Sequence, residues 1–148
     1  MQKYDVGLIP CTASKNPEGL TPLTLYKGGP FSLMVRHARQ RCKRIVIMSA
    51  KYGLLEESDR VQYYDTFIDD LTDDQKFLLM RGVRDTLNCI MWRNSSVLSY
   101  LWKPYWAVFS EANEPRYHIK VRTPYMGTPS LVLYKVLSNE LQSDITRR

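Results

Sequence analysis

Short apolar runs alternate with longer stretches in which apolar residues recur every three or four positions, and this pattern predicts an α/β domain. Residues 4–9 are apolar-rich and stop at Pro10, which predicts a first strand. Pro30 suits the first turn of a helix, where its missing N–H costs nothing. Phe31, Met34, Val35, Ala38 and Cys42 then follow at helical spacing, with Arg36, Arg39, Gln40 and Lys43 opposite and His37 on or near the polar side, where plain surface is the simpler reading. Residues 44–48 form a second apolar run and predict a second strand. Thr72-Asp73-Asp74-Gln75 has the form of a capping box. Behind it, Phe77, Leu78, Met80, Val83, Leu87, Ile90 and Met91 predict an amphipathic helix to about Trp92. Gly82 inside that helix costs about 1 kcal/mol against Ala, which the segment can absorb.

The remaining segments are less periodic. Residues 97–102 suit either a helical turn or a strand, and 106–109 (Trp-Ala-Val-Phe) are the choice for a third strand. Residues 117–122 alternate at period two and predict a fourth strand, with His118, Lys120 and Arg122 on one exposed face. Thr128 suits an N-cap and Pro129 the first position of a last helix, whose stripe is Leu131, Tyr134, Leu137 and Leu141, with a frayed tail from Ser143. Between the first strand and Pro30 runs a loop punctuated by Pro17, Gly19, Pro22, Gly28 and Gly29. Its Leu20, Leu23, Leu25 and Tyr26 predict that it packs down on the domain. The acidic run Glu56, Glu57 and Asp59 reads as a solvated loop. This order predicts one α/β domain over residues 1–148: a small, mostly parallel sheet with helices on both faces, a Rossmann-like layer sandwich.

Composition narrows the setting. The chain has 148 residues, 44% hydrophobic, enough for a real core. No apolar run approaches the ~20 residues of a membrane helix, and the N-terminal residues lack a signal-like apolar region, so a cytoplasmic protein without membrane contact is expected. Cys11, Cys42 and Cys89 are odd in number and widely spaced, which predicts reduced thiols and no zinc site. The net charge of +6 permits a nucleic-acid or polyphosphate partner. Part of it crowds into Arg36, Arg39, Arg41, Lys43 and Arg44, for which a solvated helix face is the simpler reading.

Three stretches carry chemistry that packing does not require. Cys11-Thr12-Ala13-Ser14-Lys15 places a thiol, two hydroxyls and an ammonium just past the first strand, where backbone N–H groups can form an anion nest. Ser49-Ala50-Lys51-Tyr52-Gly53 follows the second strand in the same way; Lys51 can hold phosphate or act as a base, and Gly53 can take a positive φ. Tyr63-Tyr64-Asp65 sets a carboxylate behind two aromatic rings, a combination able to stack a base and stabilise an oxocarbenium-like centre at a sugar. Each also has a plain alternative: a polar turn, a surface lysine, a tyrosine pair on a sheet edge. Cys11 is more simply a small buried thiol than a nucleophile. Neither Gly-x-x-x-x-Gly-Lys-Ser/Thr nor Gly-x-Gly-x-x-Gly occurs, and no cofactor or metal is expected.

In the order Cys-x-x-x-Lys (11–15), Leu25-Tyr26, Ser-Ala-Lys-x-Gly-Leu (49–54) and Tyr64-Asp65, the chain resembles an uncharacterised bacterial and phage domain family related to the YaaA peroxide-stress proteins. Pro124-Tyr125-Met126-Gly127 resembles that family's Pro-Leu-x-Gly before its last helix, and adds Gly127 to the candidate ligand-binding set. The resemblance implies a ligand with a base and phosphates, in settings that include phage DNA base modification, base excision or exchange, and DNA binding under stress. Joined to the residues, it gives the expectation of an enzyme acting on a nucleotide or nucleobase at the N-glycosidic bond. Asp65 and Lys51 would be catalytic; Cys11, Thr12, Ser14, Lys15, Tyr26, Ser49, Gly53, Tyr64 and Gly127 would bind the ligand. The alternatives are a protein that binds or sequesters a nucleotide without turnover, and a DNA-binding stress protein.

Overall fold

The computed structural model describes residues 3–12, 15–26, 28–89 and 92–146. Ala13 and Ser14 lie outside the described residues, so the candidate role of Ser14 is not placed. Five strands form one sheet: β1 (Tyr4–Pro10), β2 (Cys42–Ser49), β3 (Gly53–Glu56), β4 (Ser96–Ser99) and β5 (Lys120–Arg122). Their spatial order is β3-β2-β1-β4-β5. β1 runs parallel to β2 on one edge and to β4 on the other; β5 is parallel to β4, and β3 alone is antiparallel, paired with β2. Paired on both edges and covered on both faces, β1 carries Val6, Leu8 and Ile9 with no solvent exposure, the continuous apolar run expected of a central parallel strand.

A one-turn helix, α1 (Pro22–Leu25), lies inside the loop read as irregular. It is followed by α2 (Gly29–Arg41), α3 (Asp73–Leu87), α4 (Lys103–Ala112) and α5 (Ser130–Thr146). α2 packs with α5, and α3 with α4, so that helices cover both faces of the sheet. The capping box of α3 is present in both halves: Gln75 N–H donates to Thr72 Oγ1, and Thr72 N–H donates to Gln75 Oε1. α5 begins at Ser130, with the Pro129 carbonyl accepting from Leu133 N–H, and extends past Ser143 to Thr146.

Several expectations are corrected. Residues 106–109 are helical, inside α4, because Pro104 opens a first turn and Tyr105, Val108, Phe109 and Ala112 form a buried stripe at period 3.6. The third parallel strand is instead β4, over the stretch whose sequence suited either state. Only the end of 117–122 is strand, since Pro115–Tyr117 is a 3-10 turn and His118 has a left-handed φ of 54°. α3 stops at Leu87 rather than near Trp92. β3 begins at the end of the stretch over residues 49–53, where Gly53, at φ 74°, turns the chain back along β2. His37 is fully buried rather than on the polar side, because it stands three residues after Met34 on the flank of α2 that α5 covers.

The approach of α2 to β1 is set by Gly7, where an added Cβ would stand 2.9 Å from Ala38 Cβ and 3.1 Å from Cys42 Sγ. Both neighbours are anchored close to backbone, so neither can swing aside. Gly7→Ala should therefore lower stability by about 1–3 kcal/mol, the usual cost of overpacking. Urea denaturation measures it, and an unchanged midpoint would show that α2 does not lie this close.

Candidate functional site

β2 and β4 flank β1, and the chain leaves β1 to build one side of the sheet before returning to build the other. At such a switch point the carboxyl ends of the two central strands diverge and leave a crevice. A cleft of about 630 Å3 opens there. The β1 exit lines it with Pro10, Cys11 and Thr12, and the β4 exit with Tyr100, Trp102 and Lys103. α2 and α5 add apolar walls through Leu33, Met34, Leu133 and Leu137, and the turn before α5 contributes Tyr125, Gly127 and Thr128.

The first turns of both α2 and α4 meet this cleft, through Pro30 and Lys103. Neither helix has a side-chain cap: Gly28 precedes α2 and Trp102 precedes α4, without a capping hydrogen bond in either case. Uncapped first turns leave backbone N–H groups and the positive end of the helix dipole for an anion. Trp102 and Tyr134 remain 46% and 50% exposed while lining the cleft, so two aromatic rings stand half-open along it, Trp102 edge-on to Tyr105. Gly127, at φ 83°, lets the turn before α5 close over the rim.

On the β2 side of the β1 exit lies a second cluster. Tyr64 is buried, and its hydroxyl shares hydrogen bonds with Ser49 Oγ at 2.7 Å and with the Tyr26 hydroxyl. Ser49 Oγ also accepts from the backbone N–H groups of Lys51 and Tyr52, which closes the turn after β2. Lys15 Nζ lies 4.6 Å from the centre of the Tyr64 ring and 5.4 Å from that of Phe67; Lys51 Nζ lies 5.8 Å from the Tyr64 ring. Neither ammonium forms an ion pair among the described residues. Cys11 joins the two regions: it lines the cleft, and its Sγ shares a hydrogen bond of 2.8 Å with the Tyr105 hydroxyl of α4.

The predicted residues thus divide. Cys11, Thr12 and Gly127 line the cleft, while Lys15, Tyr26, Ser49, Lys51 and Tyr64 gather beside it. Gly53 serves the β2–β3 turn, and a Cβ added there would meet Val83 rather than open space. Asp65 follows Tyr64 in an extended segment that buries Tyr64 and exposes Asp65, and it does not line the cleft. The basic run is largely compensated: Arg39 pairs with Glu57, Arg44 with Glu56 and Lys43 with Asp5. Among the described residues no cluster of three or more His, Cys, Asp or Glu side chains has the arrangement of a metal site. The sequence reading missed the β4 side of the site altogether, namely Tyr100, Trp102 and Lys103, and with it Tyr134 of α5. The available signal was Trp102-Lys103-Pro104, an aromatic and a cation placed just before a proline that opens a helix.

The model of one protein family, described as a family of unknown function (DUF6884), matches residues 6–129. No curated protein and no solved structure matches the chain.

Burial dominates the electrostatics of the tyrosine clusters. It pushes the Tyr26 phenol up to about 12, and pushes Tyr64, Tyr100, Tyr105 and Tyr125 well above the ordinary phenol value. Burial also pushes the Cys42 thiol up to about 12. Each of these groups is neutral in the fold and ionises more readily once unfolded. Their contribution is complete below the unfolded values, near 9 for Cys and 10 for Tyr, and is lost as pH rises through the folded values. The urea midpoint should therefore hold up to about pH 9 and then fall, by about 1.4 kcal/mol per pH unit for each group engaged. A midpoint unchanged to pH 11 would contradict the buried, neutral tyrosine clusters.

Proposed function

The chain belongs to the DUF6884 family, whose function is unknown, and we propose that it binds a nucleotide or a nucleic-acid base in the cleft at the β1–β4 switch point. The observation that carries this reading is the pairing of two uncapped helix N-termini with exposed aromatic faces around one cleft. A phosphate suits the first turns of α2 and α4 beside Lys103. A planar base suits Trp102 and Tyr134, since every base has a face to stack. Lys15 and Lys51, unpaired beside Tyr64, flank the β1 exit from the other side. Two positive features on opposite sides of one strand end favour a ligand with more than one phosphate, or a short stretch of strand.

Breaking or exchanging an N-glycosidic bond is the reaction this pocket would serve. What supports it is Asp65, directly after Tyr64, with a carboxylate that is exposed and carries no ion pair among the described residues; it stands outside the cleft and would have to move to reach a ligand bound there. The ordered motifs from Cys11 to Asp65 are what support placing the chain beside the YaaA superfamily. A DNA-binding role through the basic run from Arg36 to Arg44 is less favoured, because Arg39, Lys43 and Arg44 already face carboxylates.

Incubation with a panel of nucleotides and oligonucleotides, followed by mass spectrometry, separates the readings: an enzyme releases free base, and a binder returns its ligand unchanged. Trp102→Ala should weaken the best ligand about 5- to 150-fold, the range that loss of one stacking contact gives. Full affinity in that variant would remove the cleft as the binding site. Asp65→Asn should abolish base release and leave affinity nearly unchanged; turnover that survives the change would exclude Asp65 from the chemistry.

A further inference from the structure

Beneath the cleft wall, one buried side chain of α2 joins two elements that the binding reading leaves unconnected. His37 is fully buried, and both its ring nitrogens are engaged: Nδ1 with the Tyr100 hydroxyl at 2.6 Å and Nε2 with Glu140 Oε2 of α5 at 2.6 Å. The Tyr125 hydroxyl donates to the same Glu140 oxygen at 2.8 Å. Tyr100 and Tyr125 stack at 5.3 Å with planes 15° apart, and both line the cleft. His37 meets each ring edge-on. Glu140 keeps 39% of its side chain exposed, so this is not a sealed core contact.

We propose that Glu140, His37 and Tyr100 form a proton relay whose working end is the Tyr100 hydroxyl at the cleft wall. Glu140 holds Nε2–H and favours the imidazolium. With His37 charged, Nδ1–H donates to the Tyr100 oxygen, and the Tyr100 proton is turned toward the cleft. With His37 neutral, Tyr100 must donate to Nδ1 and shows only lone pairs. Burial keeps the Tyr100 phenol neutral, so its oxygen carries a proton rather than a charge. Arg41, whose guanidinium donates to the His37 carbonyl, and Cys42 act electrostatically on Tyr100; Tyr4 and Arg41 act on Tyr125.

The relay rests on the nucleobase reading of the cleft, and supplies the leaving-group chemistry that reading needs. As the C–N bond breaks, its electron pair stays on the base nitrogen, which takes the Tyr100 proton. Tyr100 oxygen takes the Nδ1 proton, leaving neutral His37 on Glu140, and the sugar carbon passes to water or another acceptor. The lost proton returns from water when the cleft empties. Tyr100 is the catalytic residue in this scheme; His37 and Glu140 are positioning residues.

The chain has two histidines, His37 buried and His118 exposed, so the His37 ring nitrogens can be followed separately by NMR. His37 should take up a proton as pH falls, and Glu140→Gln should lower its midpoint by about one to three pH units. A ring neutral at every pH from 5 to 9, or a midpoint indifferent to Glu140→Gln, would overturn the relay without any ligand present. Adenosine monophosphate is the second probe: its binding should move the His37 midpoint, and Tyr100→Phe should abolish that response while keeping affinity. If the probe binds through Trp102 and leaves His37 unmoved, the relay falls and the cleft reading stands. If its affinity ignores Trp102→Ala, the cleft reading falls, and the ligand-free titration decides the relay alone.

Discussion

The double pairing of β1 is the constraint on which everything else depends. A central strand paired with β2 from Tyr4 to Pro10 and with β4 from Val6 to Leu8 is engaged on both edges through its middle, so its side chains must be apolar there and its neighbours close. Gly7 shows how close: α2 lies where a single methyl would collide with Ala38 and Cys42. The pairing with β4 ends at Leu8 and the pairing with β2 at Pro10, and there the requirement reverses. Polar groups that the sheet no longer engages accumulate at one place, between helices whose first turns point toward it. The crevice follows from the topology, and the side chains around it determine what it can hold.

Those side chains are unusually rich in buried hydroxyls. Burying a hydroxyl without a partner costs about 1–3 kcal/mol, so each must be matched. Tyr26, Tyr64 and Ser49 satisfy one another, Tyr105 is matched by Cys11, and Tyr100 and Tyr125 are matched through His37 and Glu140. Two satisfied networks therefore stand on either side of the β1 exit, one with two unpaired ammonium groups and one with a histidine–carboxylate pair. An apolar core would have supported the sheet more simply. Polar networks at strand ends, facing a cleft, are more readily explained by what the cleft receives.

Much of this was legible in the sequence wherever period and punctuation agreed. Pro30 with a 3.6-residue stripe gave α2, Thr72 with Gln75 gave the start of α3, and Gly53 was readable as a positive-φ turn. The failures share one physical cause. Trp106 to Phe109 are consecutive apolar residues, equally able to face a sheet or a helix pair, and only packing against α3 decides for helix. His37 lies at the border of its helical stripe, and α5, a hundred residues later, determines whether that border is wet or dry. Tyr100 and Trp102 could not be joined to Cys11 from sequence, because their proximity is created by the pairing of β4 with β1.

The position of Asp65 bears on what kind of protein this is. Among the described residues the cleft contains no carboxylate, and Asp65 lies on the solvent side of the segment that buries Tyr64. A glycosidase that relied on a carboxylate alone would have to bring Asp65 to the sugar on ligand binding. Acid assistance to the departing base asks for something different: a proton at the wall where the base sits. Tyr100 is at that wall, backed by His37 and Glu140. On the proposed reading the two sides of the bond would be served unevenly, with Tyr100 at the cleft wall and Asp65 outside the cleft. A histidine held between a carboxylate and a phenol satisfies buried polar groups whatever the cleft receives, and under the proposed reading it also stands where a departing base would take a proton.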